Sequence, residues 1–334
     1  MEKLVNMSYW TGKRVLVTGA SGLVGGHLVK SLITLKADVA VFERDIPTYS
    51  LYSQMNLSSQ VTTFTGDLAN SKQVTRAVVE TNPDVVFHLG AQTIVGSALK
   101  NPVETFESNI QGTWNLLDAI RLYAKSISGV VVASSDKAYG TAMVLPYNES
   151  HPLHGDGPYD VSKSCTDLIA QSFAKTYEMP VTIARCGNIY GPGDCNWSRI
   201  IPGTIKSLIS GVRPILRSDG SHLRDYIFAA DVVDAYLLLG EKALGIRPGE
   251  AYNFSNDVAY SVNEIYSKIC EVLMSKFVEP TYLHATKNEI QDQHLTSKKA
   301  NDHFDWKSKY SLAEGLGETI PWYREILQNG HRNE

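Results

Sequence analysis

The sequence predicts an α/β protein built on a doubly wound parallel sheet, with a smaller C-terminal α/β lobe. Three observations carry that expectation. Short, almost unbroken apolar runs alternate with segments of helical period through the first half of the chain. These runs lack the apolar–polar alternation of a half-exposed sheet, so both faces must be covered, as parallel sheets require. Glycines cluster where the first apolar run meets the first helical segment.

The elements follow in order. "RVLVT" (14–18) is a strand that stops at glycine. Residues 22–35 place Leu23, Val24, Leu28, Leu32 and Ile33 at helical spacing. Residues 38–42 and 61–65 are strands, and a helix is expected over 71–81. "DVVFHLG" (84–90) and "GVVVASS" (129–135) are further buried strands. Between them, a long helix over 102–124 opens with Pro102, whose missing N–H suits a first turn. Right-handed crossovers between parallel strands then wind the sheet outward on both sides. A helix over 158–177 and a strand from 181 that ends in a loop at 191 complete the regular part. Beyond it the strand–helix rhythm is lost. We expect a dinucleotide-binding domain over 1–190, to which later excursions return, and a lobe over 191–334 that closes over the strand ends.

With 334 residues the chain can bury a full core. Its 31 basic residues against 35 acidic ones argue against a nucleic-acid partner. Cys165, Cys186, Cys195 and Cys270 show no CxxC spacing and read as reduced thiols of a cytoplasmic protein, not as a zinc site. Residues 1–13 lack a signal-peptide apolar core, and no apolar run is long enough to span a bilayer. No metal site is expected.

The chemistry begins with "VTGASGLVGGHL" (17–28), which sets Gly19, Gly22 and Gly25 three residues apart between strand and helix. Glycine lets the backbone approach a pyrophosphate, and the helix N-terminus offers free N–H groups to it. That is the Rossmann arrangement. The second strand ends in "FERD", with Glu43 about twenty residues on, where an acid holds a ribose diol. This favours NAD over NADP, although Arg44 would attract a 2′-phosphate, and both side chains suit a solvated loop equally. Asp67 in "GDL" (66–68) either borders the adenine or caps the next helix.

"YDVSK" puts Tyr159 and Lys163 four residues apart on one helical face. An ammonium beside a phenol lowers the phenol's pKa, which readies it to take a proton from a hydroxyl. The strand at 129–135 delivers Ser134, Ser135, Asp136 and Lys137 to the strand ends, where open α/β sheets bind their ligands.

These motifs, together with "HLGAQ" (88–92), "NIQGTWNLLDAIR" (109–121), "RCGNIYGPG" (185–193) and "RDYIFAADVVDA" (224–235), run in family order over nearly the whole chain. The chain resembles the extended short-chain dehydrogenase/reductases that modify nucleotide sugars. Within them it is most similar to the 4,6-dehydratases, and among these to the branch acting on CDP-glucose, which "NPVETFESNIQGT" and "DCNWSRIIP" (194–202) echo.

The resemblance implies bound NAD, with Ser21, Leu23, Val24, Leu68, Leu89, Ala91 and Gln92 facing it beside the glycines. It implies a nucleoside-diphosphate sugar in the second lobe, with Asn188 and Arg224 at the diphosphate and Arg199 near the base or sugar. Ser134 and Asn109 are further pocket candidates, and His88 reads as a satisfied core or rim histidine. The implied reaction is a 4,6-dehydration. Tyr159 takes the C4 hydroxyl proton with help from Ser135, and Asp136 protonates the departing C6 hydroxyl. Lys137 is either the C5 base or a group that orients Asp136 or stabilises the enolate. A 4-epimerase would have no work for Asp136 and Lys137, and a non-catalytic NAD(P)-sensing scaffold would have none for Tyr159 and Lys163. The family also pairs the helices at 102–124 and 158–177 into a four-helix homodimer interface. From sequence alone they could equally pack within one subunit.

Overall fold

The structure is a computed structural model and describes residues 6–274, 277–284 and 290–330. Helix α1 (Met7–Trp10) precedes β1 (Arg14–Thr18), α2 (Leu23–Thr34), β2 (Asp38–Glu43), α3 (Leu51–Gln54), β3 (Thr62–Thr65), α4 (Ser71–Thr81) and β4 (Val85–His88). Next come α5 (Val95–Lys100), α6 (Pro102–Phe106), α7 (Gly112–Tyr123), β5 (Gly129–Ala133), α8 (Pro158–Tyr177), β6 (Val181–Cys186) and β7 (Asn188–Tyr190). The second half holds α9 (Ile200–Ile209), β8 (Ile215–Leu216), β9 (Leu223–Phe228), α10 (Ala229–Lys242), β10 (Glu250–Phe254) and β11 (Ala259–Ser261). It ends with α11 (Val262–Leu273), β12 (Thr281–Tyr282), β13 (Asp292–Gln293), α12 (Lys298–Phe304) and α13 (Leu312–Gly330).

Period-two alternation within buried strands builds two cores on one sheet. Val15, Val17, Val41, Phe87 and Val131 face one way, under α2 and α10. Leu16, Phe42, Val86, Val130 and Val132 face the other way, under α4, α7 and α8. The seven-stranded sheet has the order β10–β6–β5–β4–β1–β2–β3, and every pairing in it is parallel. The chain moves outward from β1 to β3, then restarts at β4 and moves the other way. The crevice between the C-terminal ends of β1 and β4 is therefore the switch point where such sheets bind ligands.

One difference from the sequence reading stands out. The helix expected over 102–124 is continuous to Tyr123 but holds a π-turn over Glu107–Gln111. There the Asn109 side chain turns inward and bonds to the loop after β4. The second half supplies a further strand, β10, which pairs with β6 at the edge of the main sheet.

The second lobe has its own core, in which Ile201, Ile205, Ile265, Ile269, Leu316 and Ile320 gather around Tyr226 and Phe228 of β9. Its sheet runs β11–β9–β13, and β7 also pairs with β9. Gly187 separates β6 from β7, so one polypeptide run passes from the main sheet into this lobe. The β13–β9 register sets Gln293 beside Arg224.

Candidate active site

The end of β1 forms a mould made of backbone. Gly19 has φ +74°, and a Cβ there would come within 2.7 Å of the Gly90 backbone nitrogen. A Cβ on Gly25 would lie 2.7 Å from the Ala20 Cα and overlap the Gly19 carbonyl. These positions therefore hold the loop, the helix start and the β4 loop in close contact. Gly22 caps α2 without a side-chain bond. The first N–H groups of a twelve-residue helix thus remain available beside a loop with no side chain in the way. This donor set fits a dinucleotide diphosphate.

Glu43 closes β2 beside the glycine loop. Its carboxylate is buried against the glycine loop, where it accepts from the Ala20 N–H and, at 2.6 Å, from the Ser21 hydroxyl. Burial pushes its pKa up. These bonds tie β2 to the loop after β1 and take one acceptor site on each carboxylate oxygen. Arg44 is exposed and pairs with Asp45 at 2.8 Å and Glu104 at 3.5 Å. Asp67 does not cap α4. That role falls to Asn70, whose side chain accepts from the Gln73 N–H, while Asp67 closes a local turn onto the Ala69 N–H at 2.8 Å. Leu68 packs where side chains at Gly90 or Gly112 would stand.

Beneath the β4 loop runs a hydrogen-bond chain with only one possible polarity. The Thr113 hydroxyl donates to the Asn109 carbonyl at 2.6 Å, so it accepts from His88 Nε2–H at 3.0 Å. His88 Nδ1 then accepts from the Thr18 hydroxyl at 2.8 Å, which accepts from the Gly90 N–H at 3.0 Å. Burial holds the imidazole neutral, pushing its pKa down to about 3. Asn109, a pocket candidate by sequence, is fully engaged in the scaffold. It bonds the Gln92 N–H and carbonyl and donates to the Ser162 hydroxyl at 2.9 Å. Ser162 in turn donates to the Tyr159 carbonyl at 2.7 Å, so the loop after β4 and the helix bearing Tyr159 are fastened together.

Past β5, a 3₁₀ turn over Asp136–Tyr139 holds the opposite wall. The Ser135 hydroxyl donates to Asp136 Oδ1 at 2.8 Å and accepts from the Lys137 N–H. Asp136 is only 3% exposed, and its Oδ2 has no partner among the described residues. The Ser134 hydroxyl is buried and likewise unpartnered. Tyr159 is partly exposed on α8 and shares a hydrogen bond with Ser135.

The expected effect of Lys163 on Tyr159 is not seen. Lys163 donates to the Ala133 carbonyl at 2.9 Å, and burial pushes its own pKa down to about 8. Burial and the Asp136 carboxylate drive the Tyr159 phenol well above its ordinary range, with Arg199 opposing them.

From the second lobe, Arg199 at the start of α9 pairs with Asp194 at 3.1 Å and reaches Tyr159 electrostatically. The Asn188 amide donates to the Asp225 carbonyl at 3.2 Å. Arg224 is buried and bonds backbone carbonyls at Leu223, Ile290 and Gln291. It therefore clamps the segment before β13, where the sequence reading put it at a diphosphate. Asp225, beside it, accepts from Ser255 at 2.6 Å and from the Leu295 N–H. Burial first, then the Asp136 charge, pushes Asp225 up to about 7.

Sequence reasoning missed Asp225 and Gln293. Asp225 was visible within "RDYIF" and passed over for its neighbour. Gln293 carried no local signal, because its partner is Lys137, 156 positions away.

The model of the family described as GDP-mannose 4,6 dehydratase matches residues 16–319. A CDP-glucose 4,6-dehydratase of Salmonella typhimurium is 28% identical, over 97% of this chain and 94% of its own length. A dTDP-D-glucose 4,6-dehydratase of Mus musculus is 29% identical, over 95% and 90%. Among solved structures, a dTDP-glucose 4,6-dehydratase of Streptomyces venezuelae with NAD bound superposes with a TM-score of 0.84 at 27% identity, covering 93% of this chain and 97% of that one. A UDP-glucose 4-epimerase of Thermotoga maritima with UDP-glucose gives 0.85 at 27% identity, covering 94% and 99%.

Proposed function

The chain belongs to the GDP-mannose 4,6-dehydratase family, and from that premise we propose that it is an NAD-dependent nucleotide-sugar 4,6-dehydratase, a lyase. The observation that carries the reading is the position of Asp136. It is buried beside Tyr159, steadied by Ser135, and keeps one carboxylate oxygen uncommitted. An enzyme that only inverts C4 has no use for a second acid there.

The glycine mould and the open N-terminus of α2 are the residues that would hold the diphosphate of NAD, and Leu68, Leu89, Ala91 and Gln92 would face the same cofactor. NAD bound there supplies the hydride acceptor for C4 and the hydride donor for C6, so no net oxidation results.

The chain's own residues move the protons. Tyr159 takes the C4 hydroxyl proton. Burial keeps the phenol protonated in the unliganded site, so it becomes a base only as positive charge gathers around it; Arg199 already acts in that sense. Ser135 gives its own hydrogen to Asp136, so it meets the substrate oxygen or the phenol as an acceptor. Asp136, protonated in the substrate complex, delivers its proton to the departing C6 hydroxyl, which leaves as water once the C4 carbonyl has acidified C5. Lys137, in its neutral form, would take the C5 proton and return it to C5 as hydride reaches C6, and the C4 proton held by Tyr159 balances the one that Asp136 must regain for the next turnover.

The relatives that bind UDP-, dTDP- and CDP-sugars support a nucleoside-diphosphate sugar as substrate. On α6, α7 and α8, the side chains of Val103, Trp114, Leu168 and Tyr177 are exposed, which supports a homodimer through these helices. No helix among the described residues is long and apolar enough to cross a membrane. The cysteines are free thiols, in keeping with the cytoplasm.

The test is a panel of CDP-, GDP-, UDP- and dTDP-sugars read by mass spectrometry. Loss of one water supports the dehydratase, whereas an isomer of unchanged mass supports the 4-epimerase. Asp136→Asn is expected to spare C4 oxidation and block water loss. Equal damage to both steps in a single turnover would remove Asp136 from its role.

A further inference from the structure

The corner beyond Asp136 contains a side chain to which neither the motifs nor the mechanism assigns a role. Gln293 lies on β13 and is completely buried. Its carboxamide oxygen accepts a hydrogen bond from Lys137 Nζ. A lysine ammonium offers only donors, so it must meet the oxygen of the amide, and the positions of O and N are thereby settled. The nitrogen is then turned to the other side, and it has no partner among the described residues.

A buried amide N–H without an acceptor is unfavourable unless a ligand supplies one. Nearby groups share this condition. Ser134 Oγ, Asp136 Oδ2, Asp225 Oδ1 and His294 Nδ1 are also buried and unpartnered. Asp136 and Asp225 lie close enough to act on each other electrostatically. Unfilled donors and acceptors of this kind suit a polyhydroxylated ligand.

The segment carrying Gln293 is fastened on both sides. Arg224 grips the carbonyls at Ile290 and Gln291 at 2.5 and 2.7 Å. The Leu295 N–H donates to Asp225 at 3.1 Å. Tyr147 N–H donates to the His294 carbonyl, and the Thr296 N–H donates to the Tyr147 carbonyl, both at 2.9 Å. The amide is therefore held in place before any substrate arrives.

We propose that Gln293 is a positioning and recognition residue of the dehydration half-reaction: its oxygen holds Lys137 in register with Asp136, and its amide N–H receives a sugar oxygen. The proposal rests on the dehydratase reading, and its test separates the two. Gln293→Leu and Gln293→Glu are made in the full chain. Three quantities are followed: transient nicotinamide reduction in a single turnover, water loss by mass spectrometry, and labelling of Lys137 by an amine-directed acetylating reagent relative to exposed Lys72.

Gln293→Leu is expected to slow water loss by roughly tenfold or more while C4 oxidation stays within about threefold. Lys137 should be labelled severalfold faster than in the unmodified protein. Gln293→Glu keeps an oxygen for Lys137 and lacks the N–H. It should restore the slow labelling and much of the water-loss rate, with a raised KM. Unchanged labelling or unchanged water loss in Gln293→Leu overturns the proposal, as does equal slowing of both steps with no rescue by Gln293→Glu. If the unmodified protein yields only an isomer, the dehydratase reading fails. The labelling comparison still decides whether Gln293 holds Lys137.

Discussion

The two walls of the cleft differ in how completely their hydrogen bonds are filled. On the cofactor side almost every buried polar group is satisfied. Glu43 accepts from the glycine loop, His88 sits between two threonines, and Asn109 bonds both backbone groups of Gln92. On the opposite side Ser134, Asp136, Asp225 and Gln293 each keep an unused polar atom. The first wall is a rigid backbone mould that binds through N–H groups and shape. The second is a set of side chains whose hydrogen-bonding capacity is completed by a polar ligand. Changes to the mould should therefore damage stability and cofactor retention together, and changes to the second wall should alter chemistry with little loss of fold.

The sharpest break in that division is Gly25→Ala. The added methyl overlaps the Gly19 carbonyl, so a loss of about 5 kcal/mol is expected. Thermal unfolding and the NAD content of purified protein should fall together, and a protein that unfolds normally and keeps its cofactor would contradict the mould. Tyr159→Phe tests the other side. Turnover should drop about a thousandfold, equivalent to about 4 kcal/mol in the barrier, with the melting temperature nearly unchanged.

Asp225 sharpens the comparison through pH. Its carboxyl is raised to about 7 in the folded chain, against about 3.9 when unfolded. The folded state therefore binds the proton more tightly. The stabilisation is complete below pH ~4 and is lost as pH rises through ~7, amounting to about 4 kcal/mol. Asp225→Asn imitates the protonated acid, so denaturant titrations should match the parent near pH 4 and exceed it near pH 8. A parallel pH dependence in both proteins would remove Asp225 from the unfilled wall.

Asn109→Leu strips three partners of their bonds within the mould. It should cost about 2 kcal/mol and weaken NAD retention while leaving the ratio of water loss to C4 oxidation unchanged. A change in that ratio would place Asn109 back at the substrate. The smallest effect on the fold is expected from Leu168→Glu on the exposed side of α8. Unfolding should shift by about 0.5 kcal/mol or less, yet sedimentation should report a monomer if the helices pair as proposed.

Much of this was legible in the sequence. The order of strands and helices through residue 190, the glycine mould, and the arrival of Ser135, Asp136, Tyr159 and Lys163 at one end of the sheet all follow from local pattern. Apolar period and chain direction determine which residues a parallel strand delivers to its C-terminal edge. What the sequence left open depends on contacts between distant residues. Glu43 read as a ligand contact from its spacing and Asn109 from the family resemblance, and neither reading contained the scaffold bonds that both side chains make. Lys163 read as the neighbour that would acidify Tyr159, but burial and the facing carboxylate set the phenol's pKa, while Lys163 donates to the Ala133 carbonyl. Gln293 could not be read at all. Local propensity and periodicity determine where a strand or helix forms. The remaining buried polar atoms are assigned only when packing decides which partner lies within hydrogen-bond reach, and for Lys137 that partner comes from the other lobe.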